Sequence, residues 1–328
     1  MNIFKLRKFD PVPLSASGHF DSGAPADTGL IALDIQSKYH FVDENGETYH
    51  EYFVPGTPDV QNCGGYVDKV IQYRDPALIE YLRKNSVSAE VFAGSPFPIL
   101  GTRSPRLDLL LHALIVELNT RHGIDRISLL DHGCTVAEHY DLLDIMLRAG
   151  SNEHATASEL LSYCGIDKSA MLLSIAKLLH QQVPAEYFSL RQAEGSGFSL
   201  PRSQYDLSLS VGVVNHTAEP MKALEKLVAA TRHACVLALW VTAGEEGFWA
   251  INHSSVPQYF FSKADLRRVL QNRGEGRFFS TEFVLETEAS QLRSYVGIGE
   301  DKLRTLGSYH LVFSTLRELP FEAEELVL

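Results

Sequence analysis

The sequence predicts an α/β protein: a mostly parallel sheet with helices on both faces, preceded by an N-terminal cap of a β-hairpin and helices. Three observations carry this reading. From Arg106 onward, short β-prone runs alternate with helical patterns, the order that a parallel sheet covered on both sides requires. The last two β-prone runs have only a short segment between them, which suits an antiparallel pair at a sheet edge. The first hundred residues have a different character, and the stretch 95–105 (SPFPILGTRSP), with three prolines, separates the two parts. The expected division is 1–104 for the cap and 105–328 for the main domain.

The cap begins with an irregular Pro-, Gly- and Ser-rich arm to about residue 28. ALDIQSKYHFV and ETYHEYFV follow, joined by Asp43-Glu44-Asn45-Gly46, a hairpin signal. YVDKVIQYRDPALIEYLRKN reads as helical, with Pro76 breaking the helix or restarting it at its first turn. In the main domain a helix runs from Arg106 to Gly123. RISLLDH is a strand and EHYDLLDIMLRAG a helix ending at Gly150. ELLSYCGID is a strand, SAMLLSIAKLLH a helix and EYFSLRQ a strand. QYDLSLSVGVV is a strand and EPMKALEKLVAATRH a helix. ACVLALWVT is a strand, and after a long loop SKADLRRVLQNRG is a helix. RFFSTEFVLE and SYHLVFSTLRE close the sheet.

The 328 residues are 45% hydrophobic and 21% charged, as expected of a folded globular chain. Lys and Arg total 29 against 41 Asp and Glu, a net charge of -12, which disfavours nucleic acid as a main partner. No apolar run is long enough for a bilayer, so no membrane partner is expected. MNIFKLRKFDPVPL does not read as a secretion signal. The four widely spaced cysteines form no CxxC pair, and a cytoplasmic location is the expectation. The 13 histidines include His132, His139 and His216 near strand ends. No HxxxH or HExxH pair lies on an expected helix, so no metal site is expected.

Chemistry concentrates at the carboxyl ends of the strands, where open α/β sheets bind ligands. The first strand runs into Asp131-His132-Gly133-Cys134-Thr135-Val136-Ala137-Glu138. Small residues there let the backbone approach a ligand, and helix-start N–H groups can hold an anionic group. Only one glycine is present, a poor match to a dinucleotide fingerprint. Asp167 ends the second strand, where a carboxylate can accept ribose hydroxyls or simply cap the helix that follows. Asn215-His216 follows the fourth strand directly, and a neutral imidazole there can take a proton. GEEGFWAINHSSVPQYFF is a long aromatic loop suited to a substrate lid, with Trp249, Asn252, His253 and Tyr259 as candidate contacts. Tyr66, Tyr73, Tyr81 and Tyr163 can offer ring faces to a cation.

Taken together, LLDHGCTVAEH, SYCGIDKSAMLLSIAKLL, YDLSLSVGVVNHT and FSKADLRRVL, in that order over residues 106–316, resemble the class I S-adenosylmethionine-dependent methyltransferases. The resemblance implies a Rossmann-like seven-stranded sheet with the last strand antiparallel, and S-adenosyl-L-methionine as cofactor. It implies that Asp131, Gly133, Cys134 and Thr135 face the methionine part and that Asp167 holds the ribose. Lys168 and Met171 would flank the adenine, Gln192 and Ala193 lie near its amino edge, and Val211 with the residues to His216 line the sulfonium side. His216, Asn215 and Tyr73 are the candidate catalytic residues. Thr135 and Ala137 stand where that family commonly has glycines. The expected reaction is methyl transfer to a small molecule, since the cap suits a small acceptor, and an oligomer is left open. One alternative is a cyclase resembling the azetidine-2-carboxylate synthases, in which S-adenosylmethionine is itself the substrate and methylthioadenosine leaves. Another is a non-catalytic scaffold with the same fold.

Overall fold

The computed structural model describes residues 73–88, 105–150, 156–193, 197–252, 257–285 and 306–328, together with Val70, Val91 and the strand segments 7–8, 36–42, 48–53 and 295–296. In the cap, β1 (Arg7–Lys8), β2 (Gln36–Val42) and β3 (Thr48–Phe53) form a small antiparallel sheet in the order β1-β2-β3. β1 falls within the arm expected to be irregular. Helix α1 (Pro76–Asn85) starts at Pro76, and the Asp75 carboxylate caps it by accepting the Ala77 N–H at 2.8 Å. The expected division at 104/105 adjoins residues outside the described set.

The main part opens with α2 (Pro105–Thr120) and continues through β4 (Ile127–His132), α3 (Glu138–Gly150), a one-turn α4 (Ala157–Leu160) and β5 (Leu161–Asp167). Then come α5 (Ala170–Leu179), β6 (Phe188–Gln192), β7 (Tyr205–Val211), a 3-10 turn at Val214–His216, α6 (Pro220–Ala230) and β8 (Thr231–Thr242). A hairpin of β9 (Phe248–Asn252) and β10 (Pro257–Phe260) precedes α7 (Lys263–Arg273). β11 (Arg277–Leu285), β12 (Tyr295–Val296), β13 (Leu306–Ser314) and β14 (Glu324–Glu325) complete the chain.

The central sheet has the order β14-β11-β13-β8-β7-β4-β5-β6. β8-β7-β4-β5-β6 pair in parallel, whereas β13 runs antiparallel to both neighbours, β8 and β11. The sheet is therefore mixed, and it has eight strands where seven were expected. The eighth, β14, is a two-residue strand that adds antiparallel to the edge of β11. This is a Rossmann-like α/β fold with helices on both faces.

Alternation along the buried strands builds two cores. Leu129, Leu207 and Val236 meet Leu111 and Leu114 of α2 and Leu143 and Leu147 of α3 on one face. Leu130, Leu237 and Leu239 meet Leu224 and Leu227 of α6 and Leu266 and Val269 of α7 on the other. α3 buries its outer side as well, where Leu142, Ile145 and Met146 pack on Leu78 and Leu82 of α1.

Three local departures have physical causes. The expected strand from Glu159 starts at Leu161, because Thr156 and Glu159 close a capping box that fixes one helical turn first. β8 starts at Thr231, three residues before the expected run, with Thr231 Oγ1 bonded to Leu227 O and Ser208 Oγ. The expected lid loop is a hairpin, Trp249 opposite Tyr259 and Phe248 opposite Phe260. Among the described residues no helix is long and apolar enough to cross a membrane.

Candidate functional site

The strand order reverses between β7 and β4, so a crevice opens at their carboxyl ends. The first wall is the turn after β4. Gly133, Thr135 and Ala137 all have left-handed backbones, with φ of 82°, 50° and 62°. Thr135 and Ala137 thus keep a conformation that glycine adopts without cost and that costs other residues roughly 1–2 kcal/mol. Gly133 has a second constraint: a Cβ there would lie 2.1 Å from the Val213 side chain. The turn is hooked onto β5. Gly133 N–H and Cys134 N–H both donate to Ile166 O (2.7 and 3.1 Å), and Ala137 N–H donates to Cys134 O at 2.7 Å.

Asp167 fastens this wall. One carboxylate oxygen accepts Thr135 N–H at 3.0 Å and the other accepts Ser169 N–H at 2.9 Å. The helix that follows is capped by Ser169, whose Oγ accepts Leu172 N–H at 3.3 Å, so Asp167 holds the cap residue and is not itself the cap. Gly133, Cys134, Thr135 and Ala137 thus all spend their N–H groups inside the protein, so none of these four is left to cradle an anion.

Carboxylates surround the turn. Asp131 is buried and accepts the Tyr163 hydroxyl at 2.7 Å. Burial pushes its carboxyl up to about 6. Beside it, His139 meets the Asp108 carboxylate at 2.7 Å. Burial opposes charge on this ring, but Asp108, with Asp131 and Glu138 nearby, outweighs it and raises its pKa to about 10. The Asp108–His139 pair joins α2 to α3, 31 residues apart, and was not read from the sequence. Burial, with Asp131 and Asp167 close by, lifts the Cys134 thiol well above its ordinary value.

At the next strand end, Gln192 Nε2 donates to Lys168 O at 3.1 Å and Ala193 N–H to Asp167 O at 3.0 Å. Met171 lies in the first turn of α5. Val211 ends β7, and Gly212 N–H bonds Ala238 O at 3.3 Å.

The opposite wall is the 3-10 turn with β10. Beyond Ala238, β7 has ended, and Phe261 takes its place beside Val241 of β8 in parallel. Asn215, fully buried, ties this junction by donating from Nδ2 to Trp240 O (3.1 Å) and Tyr259 O (2.5 Å). His216 is exposed, and its Nδ1 bonds Pro257 O at 2.9 Å. A carbonyl only accepts, so Nδ1 carries the proton and Nε2 is the basic nitrogen of the neutral ring.

The structure thus sets Asp131, Gly133, Cys134, Thr135, Asp167, Lys168, Met171, Gln192, Ala193, Val211, Asn215 and His216 at or shortly after the carboxyl ends of β4, β5, β6 and β7. Tyr73 is a correction. It is 1% exposed among Leu78, Leu82, Leu142, Ile145 and Met146, on the side of α3 turned away from the sheet, so it packs the cap and does not reach the crevice. Tyr163 is likewise buried, stacked on Phe188 at 5.1 Å. Tyr66 and His253 lie outside the described residues. Trp249 is 45% exposed at an edge of Tyr259. His132 packs on Phe198 and bonds Ser210, away from His139 and His216. A cavity of about 340 Å³ lies elsewhere, lined by Pro76, Ile79, Glu80 and Arg83 of α1 with Arg148 and Thr156, beyond the far end of α3.

Residues 143–239, from α3 through β8, match the sequence profile of the methyltransferase domain family. The central part of the chain is similar to methyltransferase domains. No curated protein matches the chain. Among solved structures it is similar to YcgJ of Bacillus subtilis (10% identity, 63% of this chain and 100% of that one, TM-score 0.42). It is also similar to the 1,6-didemethyltoxoflavin N1-methyltransferase of Burkholderia thailandensis (12% identity, 84% and 99%, TM-score 0.38) and an S-adenosylmethionine-dependent methyltransferase of Mesorhizobium loti (13% identity, 58% and 92%, TM-score 0.37).

Proposed function

We propose that this protein is an S-adenosylmethionine-dependent methyltransferase acting on a small molecule. The observation that carries the reading is the turn Asp131–Ala137. It keeps three left-handed positions at the switch point and is pinned by Asp167. The carboxylates of Asp131 and Asp167 beside it suit a ligand that carries positive charge. The residues fit the cofactor. Each Asp167 oxygen accepts one N–H and retains lone-pair capacity for a ribose hydroxyl. Gly133 lets the backbone approach closely where a side chain would not fit.

S-adenosylmethionine, when bound, supplies a methyl group activated by a sulfonium. The chain's own part is alignment: Asp167 holds the ribose end, Asp131 and the turn face the amino-acid end, and Lys168, Met171, Gln192 and Ala193 flank the adenine. Asn215 fixes the wall beside Val211, and His216 Nε2 takes the acceptor's proton. A cyclase is the second reading. It rests on Thr135, a half-buried side chain in the turn that faces the amino-acid tail, where a bare backbone would leave the tail unconstrained.

Incubation with S-adenosylmethionine alone, followed by product analysis, separates the two. S-adenosylhomocysteine formed only with an added acceptor supports methyl transfer, and methylthioadenosine formed without one supports cyclisation. Calorimetry tests the ligand itself. Asp167→Ala is expected to weaken S-adenosylmethionine binding by about 1.5–3 kcal/mol. Unchanged affinity in the folded variant removes the assignment.

A further inference from the structure

Beside the crevice one buried side-chain amide nitrogen has no hydrogen-bond partner among the described residues. It is Nε2 of Gln258, on β10, a residue 3% exposed. Its backbone is paired with Ala250 across the hairpin, so the strand does not need the side chain. A buried donor without a partner costs about 1–3 kcal/mol, and a leucine or methionine would avoid that cost.

The side chain's direction follows from register. Alternation along β10 puts Gln258 on the same face as Phe260, and cross-strand pairing adds Ala250 and Phe248 to it. Phe248 stacks on Phe260 at 5.4 Å, and Trp240 of β8 meets Phe260 at 6.3 Å. Along β8, Ala234 and Val236 face the α2 side and Cys235, Leu237 and Leu239 the other, so Trp240 continues the α2 side. Asp108 and His139 stand on that side too. The neighbouring carbonyl, Tyr259 O, is held by Asn215 beside the end of β7. The donor thus sits beside a half-buried aromatic wall at the carboxyl edge of the sheet, next to the turn that carries His216.

We propose that Gln258 recognises the methyl acceptor, donating from Nε2 to a carbonyl or carboxylate oxygen while the acceptor's apolar body packs on Phe248 and Trp240. The acceptor class is therefore an apolar, ring-bearing small molecule with an oxygen acceptor. This rests on the methyl-transfer reading and names its substrate class.

Two measurements on the full-length protein test it. In thermal denaturation without ligand, Gln258→Leu and Gln258→Met are each expected to raise Tm by about 2–4 °C, because they remove an unsatisfied donor. A lowered Tm in both shows that the amide holds the fold and overturns the proposal. In ligand-observed NMR, phenylacetamide is expected to bind the wild type about five-fold or more tightly than Gln258→Leu, the scale of one hydrogen bond, while ethylbenzene binds both alike. Equal affinity of the two proteins for phenylacetamide, or no saturable binding by the wild type, also overturns it. S-adenosylmethionine calorimetry on the same samples keeps the two ideas apart. If Gln258 behaves as expected but S-adenosylmethionine does not bind, the methyl-transfer reading fails while the recognition site stands.

Discussion

The two walls of the crevice are built on opposite rules. On the β4–β5 side Asp167 bonds two N–H groups, Ile166 O takes two more, and Asp131, Tyr163, Asp108 and His139 pair among themselves. On the β7–β10 side two buried amide atoms, Asn215 Oδ1 and Gln258 Nε2, have no partner among the described residues. A wall whose groups are bonded mostly to one another is rigid and preformed, as a site for an invariant ligand needs to be. A wall with unsatisfied groups gives up stability and gains it back only with a complementary molecule, which is how polar discrimination between substrates arises.

The largest effect is expected where the first wall has no slack. Gly133→Ala places a methyl into Val213 at a left-handed position, and overpacking together with backbone strain should cost about 2–4 kcal/mol. Chemical denaturation measures this directly, and a loss below about 1 kcal/mol would mean that the turn yields easily.

Next is Asn215→Ala, which strips the partner from Trp240 O and Tyr259 O. Destabilisation of about 1–3 kcal/mol is expected, against the rise expected for Gln258→Leu. Similar shifts for both would erase the distinction between a bonded amide and an orphaned one on the same wall.

The carboxylate cluster gives the first wall a pH signature. The folded pKa of Asp131 is raised from 3.8 to about 6, so its contribution is greatest at low pH and is lost between those values. His139, raised from 6.5 to about 10, contributes fully below 6.5 and loses its contribution as pH rises through about 10. Urea midpoints of the wild type should therefore decline from pH 6.5 to 10, and His139→Gln should flatten that decline. A wild-type profile already flat over this range would contradict a charged His139.

The smallest effect runs the other way. Thr135→Gly and Ala137→Gly relieve left-handed strain and should each stabilise by about 0.5–1 kcal/mol. Destabilisation by either would show that the side chain's packing exceeds its strain.

Legibility in the sequence followed the range of the interactions. α3 was readable to the residue because its apolar period, its start at Glu138 and its end at Gly150 are all local. The positions of the β4 turn and of Asp167 at strand ends were readable because the apolar runs before them end there. Tyr73 was misplaced because its partners, Leu142 to Met146, lie some 70 residues away on a helix face that the pattern alone does not pair with the cap. The β9–β10 hairpin read as a loop because Ser254-Ser255 is a weak turn signal and Trp249 and Tyr259 suit a lid equally well. Gln258 gave no signal, since burial of a glutamine depends wholly on what surrounds it.

Phe261 standing in for β7 beside Val241 has an engineering consequence. The excursion from Ala243 to Phe260 departs from and rejoins the same short length of β8, so its two ends are anchored side by side. Such a segment can be exchanged as a cassette that keeps the buried Ala250 and Phe260 and the carbonyls of Pro257 and Tyr259: the strand order of the central sheet is untouched and the exposed part of the hairpin is replaced. Divergence of this scaffold toward new ligands can thus proceed within about eighteen contiguous residues, while the β4–β5 half is inherited whole.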